Sequence, residues 1–223
     1  MRGALAVLLA LVPCLAFAQE TPALRAHHFT FDAAAAWSGG YDIGQASAVL
    51  RGNGLGPTPP SFVYFRTESR VRPSIAPQVR AQFALTERLA IEVAAAFARP
   101  RIGVRIAGDA EAPTQQLPGE ALHQYTISAG VTWQVPMAMG ARLAPFVAAG
   151  GGHLRQLHED RTLAETGQGY YAGLGVRYWL SGGRRSRTLG LRADARVNLR
   201  RKGIDFEDQA RTFPTFSLAL FVG

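Results

Sequence analysis

From Thr188 to Leu199 every second residue is apolar: Leu189, Leu191, Ala193, Ala195, Val197 and Leu199 alternate with Gly190, Arg192, Asp194, Arg196 and Asn198. Successive side chains of a strand point to opposite faces, so this period of two predicts a strand with one oily and one charged face. The pattern recurs. His28 to Trp37 puts Phe29, Phe31, Ala33, Ala35 and Trp37 on one face and Asp32 on the other. Ser74 to Leu85 opposes Ile75, Val79, Ala81 and Phe83 to Gln78, Arg80 and Gln82. Leu89 to Phe97 sets Ile91, Val93 and Ala95 against Glu92. His123 to Val135, Tyr170 to Leu180 and Pro214 to Val222 follow the same rule, and Gly- and Ala-rich Arg142 to Leu154 is a strand whose faces the pattern does not assign.

These eight segments are joined by links that alternate in length. Thr86 to Arg88, Pro136 to Ala141 and Ser181 to Arg187 are short, whereas Ser38 to Pro73, Arg99 to Leu122, Arg155 to Gly169 and Arg200 to Phe213 are long and polar. Short turns on one side and long loops on the other predict an all-β fold, an eight-stranded antiparallel up-and-down transmembrane barrel with lipid outside and a polar interior. Both chain ends then fall on the short-turn side. The aromatic residues sort into two belts on this topology: Phe29, Phe31, Phe83, Trp133 and Tyr178 toward the short turns, Trp37, Phe97, Tyr125, Tyr170 and Phe216 toward the long loops. Amphipathic rings prefer the two membrane interfaces. A secreted soluble β-barrel would also alternate, but its outward polar face would be rich in Lys, Glu and Thr. Here the polar face is mostly Gly, Ala, Ser, Thr and Gln, which suits a narrow, crowded interior.

The start of the chain fits an exported protein. Arg2, the apolar run Gly3 to Leu15 and the small-x-small site Ala16-Phe17-Ala18 read as a signal peptide over residues 1–18, followed by a barrel domain over 19–223. Cys14 is the sole cysteine, so a mature chain cut after Ala18 would hold no disulfide, thiolate metal site or cysteine nucleophile. The formal net charge is +8, nearly all from arginine, since Lys202 is the only lysine. Export argues against nucleic acid as the partner of this charge and for an anionic lipid surface.

Pro145-Phe146-Val147-Ala148-Ala149-Gly150-Gly151-Gly152, Tyr171-Ala172-Gly173-Leu174-Gly175-Val176-Arg177-Tyr178 and Leu189-Gly190-Leu191-Arg192-Ala193-Asp194-Ala195-Arg196 resemble the fifth, sixth and seventh strands of eight-stranded outer-membrane barrel domains of the OmpA and OmpX type. The resemblance spans the mature chain in pattern. It implies residence in the bacterial outer membrane, insertion by the barrel-assembly machinery and a monomer. The end of the chain departs from it. Such barrels end in an aromatic residue, but here Phe221 is followed by Val222-Gly223. No cell-wall-binding domain follows the barrel within this sequence.

Two groups of residues are candidate sites. The first is an interior salt-bridge network of Arg80, Glu92, Arg177, Arg192, Asp194 and Arg196, because buried charges need partners of opposite sign. The short turn sets Gln82 opposite Glu92, which places Arg80 diagonal to Glu92 and predicts that those two pair. The second is a basic outer rim of Arg99, Arg101, Arg105, Arg155, Arg200, Arg201 and Lys202, suited to lipopolysaccharide phosphates. None of His27, His28, His123, His153 and His158 falls at the spacing of a metal motif or in a His-x-Ser arrangement. No cofactor or catalytic group is expected. The expected role is non-enzymatic, in envelope structure or in surface interaction through the long loops. A small channel for ions or hydrophobic solutes is the alternative, and a lipid A-modifying enzyme is the third reading.

Overall fold

The computed structural model describes residues 24, 26–51, 61–108, 113–136, 142–159, 163–181, 189–205 and 209–223. The expected leader, residues 1–18, lies outside them. Twelve strands occur among the described residues: β1 (Phe29–Ser38), β2 (Tyr41–Arg51), β3 (Ser61–Val71), β4 (Ser74–Ala84), β5 (Leu89–Ala98), β6 (Arg101–Ala107), β7 (Gln115–Ala121), β8 (His123–Gln134), β9 (Leu143–Leu157), β10 (Ala164–Ser181), β11 (Leu189–Lys202) and β12 (Arg211–Val222). Eight of them close into an antiparallel barrel in the order β1-β12-β11-β10-β9-β8-β5-β4. These are the eight segments that alternation marks out.

The wall is oily on its outside. Ile75 is 70% exposed, and Phe31, Val79, Ile127, Leu174, Val197 and Leu218 are all more than half exposed. A continuous exposed band of this size is incompatible with water as its solvent, and lipid is the medium that fits it. The two belts close into ring pairs on neighbouring strands. Phe29 lies 4.8 Å from Phe83 at one end; Trp37 lies 5.7 Å from Phe216 and Phe97 5.0 Å from Tyr125 at the other.

Inside, β9 resolves the faces that its sequence conceals. Ala144, Phe146, Ala148 and Leu154 are buried and point inward, while Val147 and Arg155 are exposed on the outer side. Small residues on both faces erase the alternation. Gly150 is small for a reason: the Tyr171 ring, its ladder partner on β10, lies over it, and a Cβ on Gly150 would meet the Tyr171 hydroxyl oxygen at 2.7 Å. At the short-turn end Phe221 points inward, 3% exposed, and meets Trp179 edge-on at 5.9 Å. The displaced aromatic of the terminus thus plugs the interior.

The long links are corrected by the structure. Ser38 to Pro73 and Arg99 to Leu122 are not loops for most of their length but carry β2, β3, β6 and β7, which form a second sheet in the order β2-β3-β6-β7. That order matches β1-β4-β5-β8 in the barrel, so each outer strand continues a barrel strand after a break at Gly39-Gly40, Arg72-Pro73, Arg99-Pro100 or Leu122. Proline has no N–H for the ladder, which accounts for two of the four breaks. The Arg72 N–H donates to the Arg101 carbonyl at 2.8 Å and the Leu122 N–H to the Pro100 carbonyl at 2.9 Å, so the wall stays connected across the bend.

Candidate functional site: the charged lumen and its outer cap

The inward faces of β1, β4, β5, β10 and β11 bring seven charged side chains into one buried cluster. Arg80, Glu92, Arg177, Arg192, Asp194 and Arg196 all belong to it, and Asp32 joins them. Arg192 reaches all three carboxylates: Glu92 at 2.6 Å, Asp32 at 3.1 Å and Asp194 at 3.3 Å. Arg196 holds Asp194 at 2.7 Å and Glu92 at 2.9 Å, with its guanidinium 4.5 Å from the Tyr171 ring.

The pairing of Arg80 departs from the expectation. Gln82 does face Glu92 across β4 and β5, yet Arg80 does not pair with Glu92. It extends across the lumen to Asp194 at 2.7 Å, donates to Ser217 Oγ and lies 3.9 Å from Asp32. Neighbouring strands of a narrow barrel curve toward one another, so a long side chain finds partners on the far wall as easily as on the next strand. Arg177 is different again. Its Nη2 donates to Gln82 Oε1 at 2.7 Å and its guanidinium lies 4.8 Å from the Phe146 ring, but it contacts no carboxylate among the described residues.

The outer end is closed by a cap of its own. Tyr41 and Ile43 of β2, Val71 of β3, Ile102 of β6, Leu122 and Ile204 form a buried apolar cluster. Ile204 gets there because the chain reverses just after β11, where Lys202 and Gly203 have φ of 64° and 86°. Arg200 fastens this turn from inside. Its Nε donates to the Lys202 carbonyl at 2.9 Å, its Nη2 to the Ile204 carbonyl at 2.8 Å and its Nη1 to the Tyr41 hydroxyl. The Ile204 N–H donates to Gln156 Oε1 at 3.1 Å. Burial, the largest influence, pushes the Tyr41 hydroxyl above its ordinary pKa, against the pull of Arg200.

Arg200 therefore leaves the expected basic rim. It is 3% exposed and points inward, as its even parity with Arg192 and Arg196 requires. Arg99, Arg101, Arg155, Arg201 and Lys202 are exposed at the outer end. Arg105 lies further out, on β6 beside Glu68 at 3.9 Å. His158 pairs with Glu120 at 2.8 Å near the same end. Gly203→Val should open the cap, since its Cβ would come 2.6 Å from Arg200 Nη2 and a β-branched residue resists this φ. Limited proteolysis of the refolded protein should then cut between Ile204 and Arg211 while the barrel stays folded; an unchanged digest would show the turn to be tolerant.

A closed eight-stranded barrel with an apolar exterior, aromatic belts and a paired-charge interior defines a transmembrane β-barrel of the outer-membrane type. No family model matches the sequence, and no curated protein matches it. Solved structures do. Neisserial surface protein A matches with a TM-score of 0.51 and 16% identity, over 87% of this chain and 94% of that one. The outer membrane protein OprG from Pseudomonas aeruginosa matches with a TM-score of 0.50 and 11% identity, over 91% and 98%. At these identities the likeness is one of fold, that of a closed eight-stranded outer-membrane barrel.

Proposed function

We propose that this chain is a non-enzymatic protein of the bacterial outer membrane, exported by its leader, whose working surface is the outer sheet β2-β3-β6-β7. The observation that carries this reading is that sheet itself: four strands built beyond the membrane wall, with a core beneath and side chains displayed outward. Its exposed groups are mixed. Arg66, Glu68, Arg70, Arg101 and Arg105 give a charged area, and Val49, Leu50, Phe62 and Val63 give an apolar tip. Exposed apolar side chains of this size mark contact surfaces more often than chance. The exposed arginines at the strand exits, Arg99, Arg101, Arg155 and Arg201 with Lys202, suit lipopolysaccharide phosphates, because guanidinium binds phosphate in a two-pronged fashion. The buried network across the lumen supports a closed barrel rather than an open channel.

The test is made in cells. In a strain lacking the protein, Glu68→Cys should react with a membrane-impermeant maleimide on intact cells, whereas Glu87→Cys, in the short turn after β4, should react only after lysis. Phe62→Asp with Val49→Asp should assemble as a heat-modifiable barrel yet fail to restore wild-type resistance to detergent and antibiotics. Labelling of Glu87→Cys on intact cells would invert the topology, and full rescue by the double variant would place the role in the barrel wall instead.

A further inference from the structure

The charges of the lumen do not balance. Within the network, among the described residues, four buried arginines, Arg80, Arg177, Arg192 and Arg196, face three buried carboxylates, Asp32, Glu92 and Asp194, and a fifth buried arginine, Arg200, sits above them in the cap. Each carboxylate is shared by at least two arginines, so none remains for Arg177. Arg177 stands directly across the β10–β11 ladder from Arg192, a like-charge neighbour. Both guanidiniums lie over the one Phe146 ring, at 4.8 Å and 4.6 Å. An aromatic face softens this repulsion but supplies no full charge. Arg192 Nη2 is buried without a hydrogen-bond partner among the described residues. A buried unit of uncompensated charge is costly, and proteins meet that cost with a counter-charge.

Space for one exists next to the cluster. Between the network and the cap lies a chamber of about 130 Å³. Its floor is Asp194, Arg196 and Ser217, its roof includes Tyr41 and Arg200, and alanines such as Ala76 and Ala96 keep its walls back. Arg196 spends Nε on Asp194 and Nη2 on Glu92, and its Nη1 has no acceptor among the described residues. A water occupies roughly 30 Å³ in the liquid, so the chamber admits a hydrated halide or a short carboxylate.

We infer that this chamber binds one small monovalent anion, a halide or a short carboxylate, held at Arg196 and drawn there by the surplus cation of the lumen. The chamber's own charged lining, Arg196 and Arg200 against Asp194, sums to a single positive charge, so a divalent anion such as sulfate would overshoot it and binds more weakly. The ion completes the network's charge and leaves the salt bridges as they stand.

Equilibrium dialysis tests this on the full mature chain, refolded in zwitterionic detergent, with bromide as the probe and a bulky sulfonate as the only other anion. The expected result is saturable uptake of one bromide per barrel, displaced by acetate and much less by sulfate. Displacement by chloride but not acetate would assign the site to halides; displacement by both would assign it to monovalent anions generally, and either supports the chamber. Arg177→Gln removes the surplus charge but no ion pair, and should abolish the uptake. Ala96→Leu fills the chamber without touching a charge, and should abolish it too. Arg105→Gln, an exposed change on the outer sheet, should leave it intact. Heat-modifiable migration establishes that each variant is folded, and if Arg177→Gln is not, Ala96→Leu decides alone. Absence of saturable uptake by the wild type, uptake that survives either lumen variant, or uptake lost with Arg105→Gln overturns the proposal.

Discussion

Glu92→Gln is expected to destabilise the refolded barrel by about 3–5 kcal/mol, the range for removing one partner of a buried ion pair. The carboxylate is 1% exposed and holds Arg192 at 2.6 Å and Arg196 at 2.9 Å. Its neutralisation leaves four buried arginines against two carboxylates. Arg177→Gln is the contrasting change: it removes a cation that contacts no carboxylate, and glutamine keeps an amide near Gln82. Its cost should be far smaller, or even reversed, because the network then balances three arginines against three carboxylates. Urea unfolding followed by tryptophan fluorescence measures both. Double-mutant cycles add the pairing. Coupling of Glu92 with Arg196 should clearly exceed coupling of Glu92 with Arg80, whose guanidinium goes to Asp194 instead. Equal couplings, or equal costs for Glu92→Gln and Arg177→Gln, would mean that the lumen is wet enough to screen its charges.

How much of this was legible in the sequence follows from which solvents each element meets. A barrel strand has lipid on one side and a polar lumen on the other, so Ile75 to Phe83 or Leu189 to Leu199 must alternate, and the pattern reads directly. The register across the Thr86–Arg88 turn was legible for the same reason. The outer strands β2, β3, β6 and β7 meet water on one face and only a small apolar cluster on the other. Their period is also broken by irregularities at Asp42/Gly44, Ala48/Val49 and Ile102/Val104. Segments such as Tyr41 to Arg51 therefore pass for loop.

The lumen was legible as a set of residues and not as a set of pairs. Parity tells which side chains point inward, and it placed Arg80, Glu92, Arg177, Arg192, Asp194 and Arg196 there. Asp32 carried the same signal, as the one charge on the inner face of its segment. So did Arg200, whose parity continues that of Arg192 and Arg196; its neighbours Arg201 and Lys202 drew it into a rim that it does not occupy. Which cation meets which anion depends on the curvature of the closed wall and on cross-lumen reach. Ladder register fixes neither: it sets Arg80 diagonal to Glu92 and directly across from Asp32, whereas the closed wall brings its guanidinium to Asp194.

A depth series along β8 provides the sharpest check on the medium outside the wall. Ile127, Ala129, Val131 and Trp133 face outward in succession, and the belts mark Tyr125 and Trp133 as the two interfaces. Ala129 lies halfway between them. Arginine placed at Ala129 should cost about 2–4 kcal/mol in refolding into lipid vesicles, as expected at the bilayer midplane, falling to about 0–1 kcal/mol at Trp133 near the interface. Ile127→Arg and Val131→Arg should fall between, each less costly than Ala129→Arg by as much as the guanidinium can snorkel to the nearer headgroups. Thr132 separates this from a packing effect. It is buried inside and accepts a hydrogen bond from Gln82 at 2.6 Å, so Thr132→Val should cost on the order of 1 kcal/mol by the same amount in thin and thick bilayers. The penalty at Ala129 should instead grow with the thickness of the lipid, because its arginine then lies further from water. A flat profile along the four outward positions, indifferent to lipid thickness, would mean that water rather than hydrocarbon bathes this face.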